Sequence, residues 1–357
     1  MKKQPEIISI LDLFRTREGE NFQIDEPAAL KAYEKANADR SGIAIKVLTV
    51  VGGFLVTCAF LGFLFLAGFY DSGPGMGITG FFFVAGALIV KKLYDKLILD
   101  TFSVSFFVCG CLLLLLSANE FRMNETFTCV MFIIIALVSL GLVQNYMMSF
   151  AAICILHAAI IGLLQNHRYN TPGLVYAYTC LLLLFFTYWL LKEATIIAAS
   201  PILSRLYNPV RLGTLVAMLF AGINVSGNGW LGWTGYYNYI PAITAIACTL
   251  LLIPQILKAL ELQRPVATVM AFAAAILVLA PTIWAPAIAI ALLVILASFQ
   301  VNYKTGIVAG ILALIWFVSE FYYFLHYTLL TKSIMMMATG AFFLLFYFLT
   351  YKKLLSK

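Results

Sequence analysis

Glu320 is the residue with the most chemistry to explain. It sits in Ile315-Trp316-Phe317-Val318-Ser319-Glu320-Phe321-Tyr322-Tyr323, a carboxyl group within an apolar, aromatic run. An ionisable side chain in such a run is costly in hydrocarbon, so it faces a bundle interior or a watery cavity and is by default a candidate for proton or cation handling. By helical rise it lies only about 8 Å from the nearer end of its run. A second reading therefore stays open, in which the carboxyl snorkels outward or pairs with Lys332 at that end.

Two more polar residues share its setting. His157, in Cys154-Ile155-Leu156-His157-Ala158, is the histidine deepest in an apolar run, and no His or carboxylate three or four residues away completes a metal site. It reads as a neutral ring hydrogen-bonded to another helix, or as a neighbour of a polar pathway. Asn224, in Ala221-Gly222-Ile223-Asn224-Val225-Ser226-Gly227, marks either an unwound stretch offering backbone carbonyls to a substrate or the end of a helix. Glu320, His157 and Asn224 form the candidate proton or substrate pathway.

The seven cysteines (Cys58, Cys109, Cys111, Cys129, Cys154, Cys180, Cys248) all fall in apolar runs and read as small buried hydrophobes. Cys109-Gly110-Cys111 is too tight for the usual zinc spacing. A phosphate-cradling loop with lysine, His-Glu-x-x-His and Gly-x-Ser-x-Gly are all missing, which argues against ATP-driven transport, zinc proteolysis and esterase chemistry within this chain. The expectation is no catalytic residue, no cofactor and no metal.

The elements that must position these groups follow from composition. Of 357 residues, 63% are hydrophobic and 11% charged, against roughly 25% charged in a soluble domain. Lipid is the solvent that so much apolar side chain requires, and the runs have the length of about 20 residues that a bilayer crossing demands. The predicted fold class is an all-α polytopic transmembrane bundle of about 12 spans. They fall near 43–69, 75–90, 101–117, 127–144, 146–164, 173–191, 212–225, 240–257, 266–281, 283–299, 305–325 and 334–350. The third, seventh, ninth and tenth are the shortest, and Ala280-Pro281-Thr282 suits a re-entrant hairpin between 266 and 299 as well as two full spans.

Charge then sets orientation. The net charge of +7 would suggest nucleic acid in a soluble protein, but here it reads as topology, with no nucleic-acid partner. With the amino terminus inside, 23 Lys and Arg sort to the cytoplasmic side with few exceptions. Arg122, Arg168 and Lys332 fall outside, and Lys46 can snorkel back from the first span. Adding or losing one span would invert every later loop, so this asymmetry supports an even count with both termini cytoplasmic, in the inner, cytoplasmic membrane.

Around the spans, residues 1–42 read as a cytoplasmic amino-terminal segment: Ile7, Ile8, Leu11 and Phe14 recur at helical spacing, and a second helix starts at Pro27. Forty residues preceding the first apolar span, rich in acidic side chains, leave no cleavable signal peptide to expect. Two six-span halves, 43–191 and 212–350, are joined by a cytoplasmic connector, 192–211, and followed by a tail, 351–357. No residue-level repeat relates the halves. The uncharged loop containing Trp230, Trp233, Tyr236 and Tyr237 forms an outer aromatic belt and a candidate contact surface. Small residues at helix-packing spacing, Gly306-x-x-x-Gly310, Ala271-x-x-x-Ala275 and Ala287-x-x-x-Ala291, suit close helix approach within the bundle or a dimer seam.

The lead-in Ala38-Asp39-Arg40-Ser41-Gly42 and the opening span from Val51-Gly52-Gly53-Phe54-Leu55 to Gly62-Phe63-Leu64-Phe65-Leu66-Ala67-Gly68 resemble bacterial multi-span proteins grouped as domain of unknown function 4401. These are often encoded beside a GDYXXLXY-motif partner. The resemblance covers the chain's length and implies a membrane fold without assigned catalytic residues. The twelve-span major facilitator architecture shares the six-plus-six count, but Lys91-Lys92-Leu93-Tyr94-Asp95-Lys96 lacks the glycine frame of that family's basic signature. Sparse polar content and the aromatic loop point to a non-enzymatic envelope component that supports a membrane or periplasmic protein partner. The alternative is a secondary transporter or lipid-linked flippase using Glu320, and an enzyme acting on a lipid-linked substrate at the outer face ranks below both.

Overall fold

The computed structural model describes residues 52–68 in part, 72–93, 97–165, 172–225, 239–259 and 265–324, with isolated positions from 330 to 344. The amino-terminal segment, most of the first expected span, the loop carrying Trp230, Trp233, Tyr236 and Tyr237, Lys332 and nearly all of the twelfth expected span lie outside the described residues.

Every described element is helical. We number them α1 (Gly73–Leu93), α2 (Leu97–Glu120), α3 (Glu125–Leu142), α4 (Tyr146–Gln165), α5 (Pro172–Leu191), α6 (Glu193–Ala199), α7 (Pro201–Val225), α8 (Tyr239–Ala259), α9 (Pro265–Leu279), α10 (Pro286–Gln300) and α11 (Lys304–Phe324), with a 3-10 turn, Ala280–Trp284, between α9 and α10. Among the described residues, eight helices are long and apolar enough to cross a bilayer: α1 to α5, α7, α8 and α11. Their outward faces carry large apolar side chains such as Phe82, Leu137, Leu181 and Trp316, as a lipid solvent requires. The third and seventh expected spans, short when read from hydropathy, are full-length helices. α7 begins at Pro201, inside the stretch read as connector, because proline supplies the fixed φ that suits a first helical turn.

The ninth and tenth expected spans are the shorter helices α9 and α10, 15 residues each, or about 22 Å against a hydrocarbon layer of about 30 Å. α10 tolerates this because protein surrounds it. Ala289, Ile290, Leu293, Val294 and Ala297 join α5, α7 and α8 in the largest buried cluster. It also runs antiparallel beside α11 for most of that helix: Gly306 lies against Ser298 and Tyr303, Gly310 against Ile295 and Val294, and Phe317 against Ala287 and Ala291.

A second cluster joins α1 to α4 through Val84, Phe107, Cys111, Phe132, Met148 and Ala152. At the α1–α2 seam the backbones touch: a Cβ on Gly80 would stand 2.9 Å from the Gly110 carbonyl oxygen, and one on Gly110 2.8 Å from that of Gly80. The Ser117 hydroxyl donates to the Gly73 carbonyl at 2.8 Å on the same seam. The two sub-bundles meet where α7 crosses α4, with Gly213 seated on Ile153. Small residues thus govern the closest approaches, as expected where lipid is as apolar as the protein core. The expected stripes 306/310 and 287/291 face neighbouring helices of the same chain, whereas Ala271 and Ala275 line a cleft of about 370 Å³ between α8, α9 and α10.

Among the described residues the cysteines are free thiols. Cys109, Cys111 and Cys248 are buried, and Cys129, Cys154 and Cys180 are half-buried.

Candidate functional site

Polar side chains gather at the two ends of the bundle. One end is formed by the carboxyl-terminal halves of α4, α7 and α11 and the first halves of α5 and α10, and the three residues of the expected pathway lie on that side, Asn224 and Glu320 in the last two turns of their helices and His157 more than two turns inside α4. His157 on α4 is half-buried, and a 2.6 Å hydrogen bond joins its Nδ1 to the Tyr178 hydroxyl on α5. Either tautomer satisfies that geometry. The neighbouring packing is apolar, with Ile161, Val175, Tyr176, Ala221 and Val225 in contact.

Asn224 lies on the last turn of α7 and is 1% exposed. Its amide donates 2.8 Å to the Phe220 carbonyl one turn earlier. α7 is helical through Val225, so Asn224 stands within the helix rather than on an unwound segment. Two residues before it, Gly222 faces Phe317 of α11, where an added Cβ would stand 3.3 Å from the ring. Glu320 follows Phe317 by nearly one turn and is half-buried. Asn224 and Glu320 therefore stand on two touching helices near the same end, and Tyr178, the partner of His157, packs on the cluster that includes Ala221 and Val225 of α7.

The opposite end holds Arg211 on α7, whose charge in the sequence speaks only to topology. Its guanidinium lies 3.8 Å from the centroid of the Tyr303 ring and 5.1 Å from that of Tyr207. Nη2 donates 2.7 Å to Asn208 Oδ1, and Nη1 stands 3.8 Å from Glu193 Oε1. The Arg211 side chain is 15% exposed and that of Glu193 38%. Trp189, at the end of α5, stacks on Tyr207 at 5.8 Å and 11°, and its indole N–H donates 3.3 Å to the Tyr207 carbonyl.

Each part of this cluster is placed by local backbone rules. Asn302 adopts a left-handed φ of 53° after α10, a conformation asparagine tolerates better than most residues. The Tyr303 N–H then donates to the Ser298 carbonyl at 2.8 Å and the Asn302 N–H to that of Phe299 at 3.1 Å, the pairing of a Schellman helix stop. That turn carries Tyr303 over the guanidinium. Pro209, inside α7 between Asn208 and Arg211, removes the donor that would satisfy the Arg205 carbonyl. Burial raises the Tyr303 phenol above its ordinary value, with Arg211 acting the other way, so the ring stays neutral at pH 7.

This cation-aromatic cluster ties α5, α6, α7 and the α10–α11 turn together at one level. A sequence signal for it exists in hindsight: an arginine one helical turn beyond a tyrosine, and an Asn-Tyr pair at a helix stop. Neither signal names its partner, because the pairing is between segments nearly a hundred residues apart.

What the arrangement can do chemically is limited. The described polar groups within the spans mostly hold helices: the Thr179, Thr187, Thr249 and Ser319 hydroxyls donate to carbonyls one turn back in their own helices. Among the described residues, no group of three His, Cys, Asp or Glu side chains could hold a metal ion.

No curated protein and no solved structure matches the chain significantly. The profile of one family, described as a domain of unknown function (DUF4401), matches residues 43–353. With a helical, lipid-facing architecture and a match over that length, the chain belongs to the DUF4401 family.

Proposed function

We propose that this protein is a non-enzymatic component of a bacterial cell envelope, embedded in the inner membrane by twelve spans with both termini cytoplasmic, that supports a membrane or periplasmic protein partner. The observation that carries this reading is how the span polar groups that have partners use them, the hydroxyls of Ser103, Ser139, Thr214 and Ser298 having none among the described residues. Hydroxyls bond back to their own helices, His157 binds Tyr178 across α4 and α5, and Ser117 binds Gly73 across α1 and α2. Polar groups used in this way fix helices in place, as a scaffold needs, whereas a transport path needs them facing water. The uncharged, tryptophan- and tyrosine-rich loop with Trp230, Trp233, Tyr236 and Tyr237 is the surface we assign to the partner, since aromatic residues are enriched at contact cores and lysine is depleted there.

The test is chemical cross-linking in whole cells followed by purification in mild detergent. A stoichiometric partner is expected, with cross-links to the 226–238 loop. Recovery of the chain alone, repeated across detergents and with the cross-linker present, would overturn the reading. Orientation is tested separately: a reporter fused after Lys357 is expected to be active only in the cytoplasm, and periplasmic activity would reverse it.

A second reading has one observation in its favour. The contact of Gly222 with Phe317 brings α7 and α11 together within a turn of Asn224 and Glu320. A proton-coupled transporter or lipid-linked flippase would use Glu320 as the carrier there, with Asn224 and His157 beside the path.

A further inference from the structure

A cleft larger than that between α8, α9 and α10 lies between α2, α3 and α4. It holds about 630 Å³ and is lined by apolar side chains, three thiols and Thr128, with Leu112, Cys111, Cys129, Cys154, Phe150 and Ala158 on its walls. On α4 its lining runs from Phe150 to Gly162, about 18 Å along the helix axis. The cleft is therefore long and narrow and lies parallel to the helices. Its rim continues onto residues that face the lipid, among them Leu112 and Leu115.

Shape and surroundings select the occupant. The 630 Å³ is spread over about 18 Å of helix axis, a furrow whose depth a slender chain can follow and which a helix with its side chains, about 10–12 Å across, can only cover from the open side. Water finds few partners on walls whose one hydroxyl, that of Thr128, already donates to the Asn124 carbonyl. An extended hydrocarbon chain fits the width, the length and the polarity, and the bilayer supplies it through the open side.

We propose that the α2–α3–α4 cleft is a seat for a single acyl chain of a bilayer phospholipid, held beside Cys111, Cys129 and Cys154. The seat is independent of the partner-supporting role: it can be absent while that role stands, and the reverse.

The test uses the full chain in vesicles of phosphatidylethanolamine and phosphatidylglycerol containing a phosphatidylcholine with a diazirine in one acyl chain. After illumination, labelled residues are mapped by mass spectrometry. Labelling of the cleft walls is expected at several-fold the level on freely lipid-facing residues of α1 such as Phe81 and Phe82, which are exposed. Ala158→Phe, which fills the cleft from its exposed rim, should return the cleft to that background and leave Phe81 and Phe82 unchanged. Ala274→Phe, in the separate cleft between α8, α9 and α10, should leave cleft labelling as in the parent chain. Uniform labelling around the bundle in the unsubstituted chain would overturn the proposal without need of any variant. So would undiminished cleft labelling in a folded Ala158→Phe protein, or a protein-to-protein cross-link at the cleft in place of lipid.

Discussion

The two ends of the bundle solve the same problem with different chemistry. The end bearing His157, Asn224 and Glu320 includes short, local polar contacts, among them a histidine–tyrosine bond between adjacent helices and an amide turned back on its own helix. At the other end, a guanidinium is wedged among rings and an amide drawn from segments remote in sequence. In the first arrangement the loss of a member is felt by a single partner. In the second, one cation holds the ends of α5 and α7 and the α10–α11 turn at a common level, so its loss is felt by all of them. Charge is affordable there because the end is half-open to water, as the 38% exposure of Glu193 indicates.

The largest effect should therefore come from Arg211→Ala. It removes the stack on Tyr303, worth about 0.5–2 kcal/mol, and the charged hydrogen bond to Asn208, worth about 1.5–3 kcal/mol when fully buried and less here. The Glu193 pair adds little, being long and exposed. A loss of roughly 2–3 kcal/mol in detergent unfolding is expected, with Arg211→Lys intermediate because an ammonium lacks the planar face that stacks on a ring. Equal losses in the two variants would mean that charge alone matters and the stacking does not.

How much of this contrast was legible beforehand follows from which contacts are local. Helix positions could be read because a bilayer imposes one length on each apolar run, and α1 to α5, α8 and α11 fall where hydropathy put them. The start of α7 could not, since Arg205 and Arg211 lower the apolar signal of a helix that is nonetheless continuous from Pro201. The stripe 306/310 was visible as spacing, yet the tighter seam of Gly80 against Gly110 was not, because a glycine pairing between two helices leaves no period within either. His157 was readable as an interhelical bond, but Tyr178 as its partner required the structure. The Arg211 cluster was counted as charge and missed as a site, since its rings come from α5, α7 and a turn after α10.

A smaller effect is expected at the opposite end. His157→Phe keeps the ring volume and deletes one acceptor or donor, so it should cost about 1 kcal/mol, up to about 2 if the Tyr178 hydroxyl is left unsatisfied. Tyr178→Phe should cost about the same, and the double variant no more than either alone by much, as a double-mutant cycle of a single shared bond requires. Additive losses would show that the two side chains act independently and that this end is less simply connected than the 2.6 Å contact implies.

Tyr303→Phe sharpens the comparison by separating ring from hydroxyl. Phenylalanine keeps a face for the guanidinium, so stability at pH 7 should fall by less than about 1 kcal/mol. The difference appears in alkali. Burial raises the Tyr303 phenol, so the folded state holds that proton more tightly than the unfolded chain. The stabilisation is complete below the unfolded value of about 10 and declines as pH rises from there through the folded value. Unfolding followed from pH 8 upward should show a steeper alkaline decline in the parent chain than in Tyr303→Phe. Parallel curves would remove Tyr303 from any role in that decline.

The smallest effect on stability is expected from Glu320→Gln, and it decides most about function. The amide keeps the length and shape of the carboxyl and replaces its charge, at a position half-buried on α11, within one turn of the ring that packs on Gly222. If this end is a structural tie, the variant should insert, fold within about 0.5 kcal/mol of the parent, as a near-isosteric change at a partly exposed site does, and recover the same partner. If Glu320 carries a proton, folding is equally unaffected but translocation of the substrate stops, because glutamine cannot exchange the proton that a carboxyl does. Measuring partner recovery and proton-coupled flux on the same vesicle preparation separates the two. Unaltered recovery with no change in flux leaves the scaffold reading standing. Abolished flux from correctly folded protein would make this end the working one and reduce the Arg211 cluster to the clamp that holds the helices while it moves.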